Sequence, residues 1–453
     1  MRFKASEFAS LIQYGALYNG NSIITGISTD SGDVKAGDMF VCIKGERTDG
    51  HKYVDLAINN GASCVLSDRL LSVDIPYILV PDTVKALQDA ARTYRKTLDV
   101  KIVAVTGSVG KTTTKELIAS ALSSLAVHKT SGNKNSETGV PITVLGIDKK
   151  DAVAVVEMGM SNLGEISLLS SIACPDVGVI TNIGFSHIEN LKTRENILKA
   201  KLEILDGMTS SSPLILNGDD NMLRSLKTCH KKVIYYSSTD KNADYYAYDI
   251  EENEKSSSFS AKTPIGNFKV EVNLPGRHNV LNSLAAIAVG EEFGLSAKDI
   301  VLGISKYKAT ALRQNIYKFK DVAVYDDCYN SAPNSLKASI DTLSKMKGRK
   351  VAVLGDMLEL GEMSEALHER AGEELSEIDI IYLYGDYAES FASGAVKGGV
   401  DKKNIMVFND KKELARTLIK NTRAGDVILF KGSRGMKMER SLQLFLDDTD
   451  SAK

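Results

Sequence analysis

Ile102-Val-Ala-Val-Thr106-Gly107-Ser108-Val109-Gly110-Lys111-Thr112-Thr113 is the stretch whose reading decides the fold. Four apolar residues in a row read as a buried strand, and the glycines after them as a tight turn. Leu117, Ile118, Ala121, Leu122 and Leu125 then recur on one helical face. Strand, glycine turn and helix are the setting in which a phosphate loop works, because backbone N–H groups of the turn and of the helix N-terminus converge on an anion. Gly107, Ser108, Val109, Gly110, Lys111, Thr112 and Thr113 would wrap the phosphates. Lys111 supplies positive charge at the β- and γ-phosphates, and Thr112 a hydroxyl for Mg²⁺. The spacing is the shorter G-x-x-G-K-T-T, since Val105 stands where the first glycine of the longer signature would fall. An ordinary strand–turn–helix corner is the plain alternative; Gly-Lys-Thr in this context favours ATP or GTP.

The chain has 453 residues, enough for roughly two to four domains, each with its own core. Charged residues make up 25% and the formal net charge is −2, which gives no general attraction to nucleic acid or to a membrane surface. No apolar run approaches the ~18 residues of a membrane span. Met1-Arg-Phe-Lys-Ala-Ser-Glu lacks the apolar segment of a signal peptide. Cys42, Cys64, Cys174, Cys229 and Cys328 are scattered, with no C-x-x-C pair, so reduced thiols and no zinc site are expected. The expectation is a cytoplasmic globular protein.

Outward from the phosphate loop, strands and helices alternate as in a doubly wound α/β domain. Ile102–Val105, Ala152–Val156 and Val177–Ile183 are the strand candidates, followed by the loop, by Glu157, and by Asn182 and His187. Ligands of open α/β sheets bind beyond the carboxyl ends of the strands, so these three segments should share one crevice. Upstream, strands are expected at Asp38–Ile43, Cys64–Ser67 and Tyr77–Val80, with a short helix over Tyr53–Asn60 and a longer one over Thr83–Thr97. Ser28–Gly32 and Lys44–His51 read as turns. Downstream, Leu214–Asn217 and a β-rich stretch to about Val272 precede a helix opening at Leu274–Asn282. A third α/β unit follows Arg313, with strands at Val322–Tyr325, Val351–Leu354, Ile380–Tyr384, Ile405–Phe408 and Val427–Phe430. It has no G-x-G-x-x-G, so a dinucleotide is not expected. Asp447–Lys453 should fray.

Glu157, at a strand end beside the phosphate loop, either holds Mg²⁺ or is simply solvated. His187 is one of six histidines; a lone histidine is commonly structural, but this one follows a strand into the inferred crevice. Reading Glu195–Asp206 as a helix puts Lys201 in the middle of a face formed by Ile197, Leu198, Leu202, Ile204 and Leu205, with Lys199 and Glu203 opposite. Lys201 either snorkels past these neighbours or is a buried amine of depressed pKa. Such an amine can add CO₂ to give a carbamate, an oxygen ligand for a second Mg²⁺. The pattern leaves these readings open.

An ordered set of segments resembles the Mur ligases, and among them the MurF type. It runs through Thr106–Thr113, Gly132-Asn133-Lys-Asn135-Ser-Glu137-Thr-Gly139-Val-Pro141, Val156-Glu157-Met-Gly159-Met and Thr181-Asn182-Ile-Gly-Phe-Ser-His187. It continues through Lys199-Ala-Lys201-Leu-Glu203-Ile, Leu274-Pro-Gly-Arg-His-Asn279, Asp326-Asp327-Cys-Tyr329-Asn330-Ser-Ala-Pro333 and Leu354-Gly355-Asp356-Met-Leu-Glu359-Leu-Gly361 to Lys431–Gly435. The resemblance implies an α/β protein of three domains: an N-terminal UDP-sugar domain over 1–82, a central ATP domain over 83–312 and a C-terminal Rossmann-like domain over 313–453. It implies a cell-wall enzyme that phosphorylates the carboxylate of UDP-N-acetylmuramoyl-tripeptide with ATP and joins the acyl phosphate to D-alanyl-D-alanine. No nucleic-acid or membrane partner is expected, and the enzyme should be a monomer.

Carried over by position, Lys111 would act on the transferring phosphoryl group, Thr112 and Glu157 would hold one Mg²⁺, and His187 with Lys201 as N6-carboxylysine a second. Asn279 and Asn282 match positions at adenine; Arg313 and Asp327 match positions that close over the nucleotide, with Tyr329 and Asn330 beside them. Asp30 and Ser31 match a uridine contact, and Asn133, Asn135 and Glu137 the muramyl-peptide and metal side. Two positions depart from the family pattern: Gly32 replaces an arginine, and Ser136 an asparagine. Rival readings are another amide ligase of the superfamily, such as a folylpolyglutamate synthetase, or a nucleotide-dependent switch or scaffold, which would have no use for Lys201. The third residue of the tripeptide is not legible.

Overall fold

The computed structural model describes residues 2–45, 48–226, 232–308 and 312–451. It contains three α/β units, each built on its own sheet. In the first, strands Ala16–Tyr18, Tyr77–Leu79, Cys64–Ser67, Asp38–Val41 and Gly26–Ser28 lie side by side in that order, parallel except for the first. Helix Thr83–Arg95 leaves this unit and packs on helices Gly139–Leu145 and Glu165–Ala173 of the second. Tyr94 donates its hydroxyl to Ile147 O at 2.8 Å, and the Arg95 guanidinium donates to Ala173 O at 2.8 Å.

The second unit is a nine-stranded sheet. Strand β1 (Lys101–Thr106) is paired in parallel on both edges, with β2 (Val153–Glu157) on one side and β3 (Val177–Ile180) on the other. Ile102–Val105 have no exposed surface, which is why the run is continuously apolar: helices cover both faces of a parallel sheet. Helix α1 (Lys111–Ala121) follows the phosphate loop. Strands Val233–Ser237, Tyr245–Glu252, Ser257–Thr263 and Gly266–Val272 extend the sheet, the last two as antiparallel hairpins.

The helix expected over Glu195–Asp206 divides. Helix α2 (Arg194–Leu202) gives way to a 3-10 turn over Glu203–Gly207. Glu203 accepts hydrogen bonds from the Gly164 and Ser167 N–H groups at 2.7 and 3.2 Å. It thereby caps helix Glu165–Ala173, whose own N-cap, Gly164, has no side chain to do so. Strand β3 stops at Ile180, three residues short of the expected end, because Thr181 and Asn182 turn toward the phosphate loop. Helix α3 (Arg277–Glu292) packs on α1.

The third unit is a six-stranded sheet: Asn315–Phe319, β4 (Val322–Asp327), β6 (Val427–Lys431), β5 (Lys350–Gly355), Ile380–Tyr384 and Ile405–Phe408. All neighbours are parallel except the first pair. Helix α4 (Pro333–Lys345) follows β4. The expected terminal fraying is not seen as far as Ser451, where the last helix ends; residues 452–453 lie outside the described set. Cys42, Cys64, Cys174 and Cys328 are free thiols, and Cys229 lies outside the described residues. Among the described residues no helix is long and apolar enough to cross a membrane.

Candidate active site

The phosphate loop is held open by glycine and braced by the tail of β3. Gly107 has φ +150° and Gly110 φ +81°, both costly for a side chain. A Cβ at Gly107 would overlap Thr181 Oγ1, and one at Gly110 would come within 3.2 Å of Asn282 Oδ1. The Val109 N–H donates to Asn182 Oδ1 at 3.0 Å, while Asn182 Nδ2 and Thr181 Oγ1 both donate to Val109 O, at 3.0 and 2.6 Å. Ser108 Oγ accepts from the Gly184 N–H at 2.8 Å. Lys111 Nζ curls back to donate to Gly107 O at 2.8 Å and Ser108 O at 3.3 Å. Packing around Lys111 pushes its amine below the ordinary lysine range; Arg313 adds to this, and Glu157 and Glu359 oppose it. An ammonium resting on loop carbonyls is poised to exchange them for phosphate oxygens.

Glu157, at the end of β2, lies opposite Val105 of β1 and is almost fully buried. Its carboxylate accepts from Thr112 Oγ1 at 2.9 Å and from Asn135 Nδ2 at 2.8 Å. Lys115, one turn along α1 and equally buried, lies 3.8 Å away and donates to Thr130 O at 2.8 Å. This settles the local reading of Glu157: it is no solvated strand end but the centre of a polar cluster. Asn135 thus joins the cluster, whereas Asn133 and Glu137 are exposed, Glu137 serving through its carbonyl as acceptor for Gln88 Nε2 at 3.2 Å.

Lys201, on α2, is buried among Ile197, Ala200 and Ile204. Desolvation drives its pKa well below the lysine range, with Lys111 adding to the shift. Among the described residues its Nζ makes no hydrogen bond or ion pair, and the residue is 1% exposed. His187 meets the C-terminal unit instead: its Nδ1 lies 2.5 Å from Glu359 Oε2, an ion-pair contact without the alignment of a hydrogen bond. His187 holds the Glu359 carboxyl below its usual range, and Lys111 contributes.

Asn279 and Asn282 lie in the first turns of α3, both buried. Asn282 Oδ1 accepts from Thr114 Oγ1 at 3.0 Å, tying α3 to the phosphate-loop helix. Asn279 Nδ2 donates to Gln314 Oε1 at 2.8 Å. Gln314, whose N–H donates to Asp327 Oδ1 at 3.2 Å, links α3 to the end of β4. Asp327 is paired with Lys431 of β6 and accepts from Ser339 Oγ at 2.7 Å. Burial alone would raise Asp327, but Lys431 and these donors hold it below the ordinary carboxylate range. Arg313 lies over the Tyr329 ring at 3.7 Å. Asn330 Oδ1 accepts from the Ser331 N–H at 2.9 Å, and Asn330 O from Lys431 Nζ at 3.1 Å. Asp30 and Ser31 stand apart, in the first unit; Asp30 Oδ1 accepts from the Gly32 N–H at 2.8 Å, a turn contact. Thr113 makes no side-chain hydrogen bond among the described residues.

Three family models match the chain in succession: Mur ligase family, catalytic domain, at residues 23–95; Mur ligase middle domain at 105–290; and Mur ligase, glutamate ligase domain, at 312–434. The UDP-N-acetylmuramoyl-tripeptide–D-alanyl-D-alanine ligase of Bacillus subtilis (strain 168) is 40% identical over 92% of each chain. The chain belongs to the Mur ligase family. Its likeness within the family is to the MurF type: MurF of Acinetobacter baumannii superposes with a TM-score of 0.89 at 31% identity over 99% of both chains. MurF of Thermotoga maritima, solved in complex with ADP, gives 0.82 at 32% identity, covering 94% of this chain and 98% of that one.

In this Mur ligase, Thr112 and Asn135 converge on Glu157; Glu157, Arg313 and Glu359 act on the charge of Lys111, and Lys111 in turn on that of Lys201. A cavity of about 500 Å³ lies to one side, between Arg277 and His278 of α3 and Asn334, Lys337 and Arg370 of the C-terminal unit; none of the converging residues lines it. Sequence reasoning gave no role to Lys115, Gln314, Glu359 or Lys431. A lysine one turn beyond the phosphate-loop threonine was a signal available for Lys115. Glu359 meets its partner in another unit, and Lys431 reaches Asp327 from a strand far along the chain, so no local pattern marks either.

Proposed function

We propose that this Mur ligase joins D-alanyl-D-alanine to UDP-N-acetylmuramoyl-tripeptide, converting ATP to ADP and phosphate, as a monomer in the cytoplasm. The tripeptide carboxylate attacks the γ-phosphorus, forming an O–P bond as the bond to ADP breaks. The dipeptide amine adds to the acyl carbon and loses a proton, and the tetrahedral species expels phosphate to leave an amide. Lys111 would leave the Gly107 and Ser108 carbonyls and follow the transferring phosphoryl group. Arg313, whose charge acts on Lys111, would add a second positive charge from the C-terminal unit. Asn279 and Asn282 would face the base, Asp327, Tyr329 and Asn330 would close over the nucleotide, and Asp30 and Ser31 would meet the uridine. Asn135, with Asn133 and Glu137 near it, would lie on the muramyl-peptide side.

The residues fit two cations. Among the described residues no three His, Cys, Asp or Glu side chains form a ready cage; oxygen ligands from phosphate would complete the set of a hard cation here. Thr112 and Glu157, already in contact, would hold one ion; His187 and Lys201 would hold the other once the neutral Lys201 amine has added to CO₂, formed an N–C bond and released a proton. Mg²⁺ bound there neutralises phosphate charge.

Lys201 is the observation that carries this reading over a nucleotide switch: a buried lysine amine with no hydrogen bond or ion pair among the described residues serves no purpose in simple hydrolysis. Phosphate release should require ATP, Mg²⁺ and both acceptor substrates, and should match the pentapeptide product in amount. Release indifferent to both substrates would return the chain to the switch reading, and release with a different amine would change the acceptor.

A further inference from the structure

Glu359 has no role in the reaction as described so far, yet the structure takes trouble to place it. It lies between β5 and the 3-10 turn Gly361–Met363, in a left-handed conformation with φ +64°. His187, which faces it, also has a left-handed φ, +63°. Non-glycine residues hold such conformations where their surroundings over-determine them, often at functional sites. Here the surroundings are visible. The Glu189 N–H donates to Glu359 O at 3.1 Å, and Gly361 packs so close to Glu189 that a Cβ would lie 3.1 Å from its Cα. The Asn190 and Leu191 N–H groups donate to His187 O at 3.2 and 3.1 Å. With both backbones pinned, the Glu359 carboxylate reaches His187 Nδ1 at 2.5 Å. Its charge also acts on Lys111.

A histidine that ligates a metal through one ring nitrogen usually presents the other to a carboxylate, which sets the ring's orientation; Glu359 Oε2 makes that approach to His187 Nδ1 as an ion-pair contact. Among the described residues His187 Nε2 makes no hydrogen bond, which leaves it as the nitrogen open to a cation. We propose that Glu359, carried in by the C-terminal unit, is the carboxylate that orients His187 for the second cation, so that this cation site is complete only when that unit is seated. The inference rests on the reading of His187 as a cation ligand. It makes Glu359 a positioning residue that couples domain seating to metal affinity. A plain surface latch would hold the units together and leave cation affinity unchanged.

The test is a Mn²⁺ titration of the full-length enzyme, read by electron paramagnetic resonance, with a non-hydrolysable ATP analogue and UDP-N-acetylmuramoyl-tripeptide present. The wild type should bind two ions. Glu359→Gln removes the charge from a side chain that is 57% exposed and should weaken one ion by about 10- to 100-fold while leaving the other unchanged. Glu359→Asp should recover part of the loss, and His187→Ala should weaken the same ion. Wild-type affinities in Glu359→Gln beside a lost ion in His187→Ala would overturn this inference alone. An unchanged His187→Ala would overturn the ligand reading with it. Loss of both ions together in Glu359→Gln would also overturn the inference.

Discussion

Burying an amine without a counter-charge destabilises a protein, and the usual relief is loss of the proton. Lys201 is in that position, 1% exposed and lowered well below the lysine range. Replacing it by an apolar side chain of similar length should therefore help the fold and hurt the reaction. Lys201→Met should raise the unfolding midpoint, a gain on the order of 1 kcal/mol, while phosphate release coupled to ligation is lost. Lys201→Ala should also be inactive, but short carboxylic acids should partly restore turnover by filling the space of the carbamate. Unrescued, wild-type-like turnover in either variant would remove Lys201 from the mechanism. This residue was legible in the sequence because helical periodicity puts it inside an apolar face. Glu359 was not: it sits on a loop, without periodicity, and its partner is 172 positions earlier in the chain (359 − 187).

At the scale of elements, the central strands were readable because a parallel sheet buried on both faces leaves a run of apolar residues with no alternation. Cys64–Ser67, Ile380–Tyr384 and Ile405–Phe408 have the expected bounds. Ala16–Tyr18, Ile23–Ile24 and Gly26–Ser28 are two or three residues long, too short for any period to register. Asn315–Phe319 is an edge strand with only partial burial, so its pattern is diluted. The turn after β1 allows a sharp prediction. Gly107→Ala places a methyl against Thr181 Oγ1 in a left-handed backbone; nucleotide affinity, measured by calorimetry, should fall at least 10-fold while β1 and its neighbours persist. The pair at the ends of β4 and β6 should respond to acid. Asp327 is held below its unfolded pKa, so its contribution is present above about pH 4 and lost as pH falls through the lower folded value. Lys431→Met leaves Asp327 buried and uncompensated, and should lower the stability of the C-terminal unit by roughly 3–5 kcal/mol in urea unfolding.

For the whole molecule, buried apolar residues such as Leu191 and Leu360 belong to one cluster shared by the central and C-terminal units, and polar contacts run beside them: His187 with Glu359, Gln314 with Asn279, and the Glu189 N–H with Glu359 O. Such contacts open at lower free energy than a core does. In hydrogen exchange, the Glu189 amide should be far less protected than the amides of Ile102–Val105, and binding of nucleotide with the tripeptide should narrow the gap. Equal protection in the unliganded enzyme would mean the units do not separate. The division into three α/β units was legible from the alternation of strands and helices, but the partners across their boundaries were not, because no local pattern records which surfaces will meet. One consequence concerns the order in which the protein is made. Strand β6, between β4 and β5, is the last of the described strands in sequence yet fills the middle of its sheet. A growing polypeptide can complete the phosphate loop with β1, β2 and β3 long before β4 and β5 have anything to bind between them. Lys431, the counter-charge that Asp327 needs, arrives with that same strand. A nascent chain can thus shape its glycine loop early, but the Asp327 carboxylate stays without its counter-charge until that strand has been made.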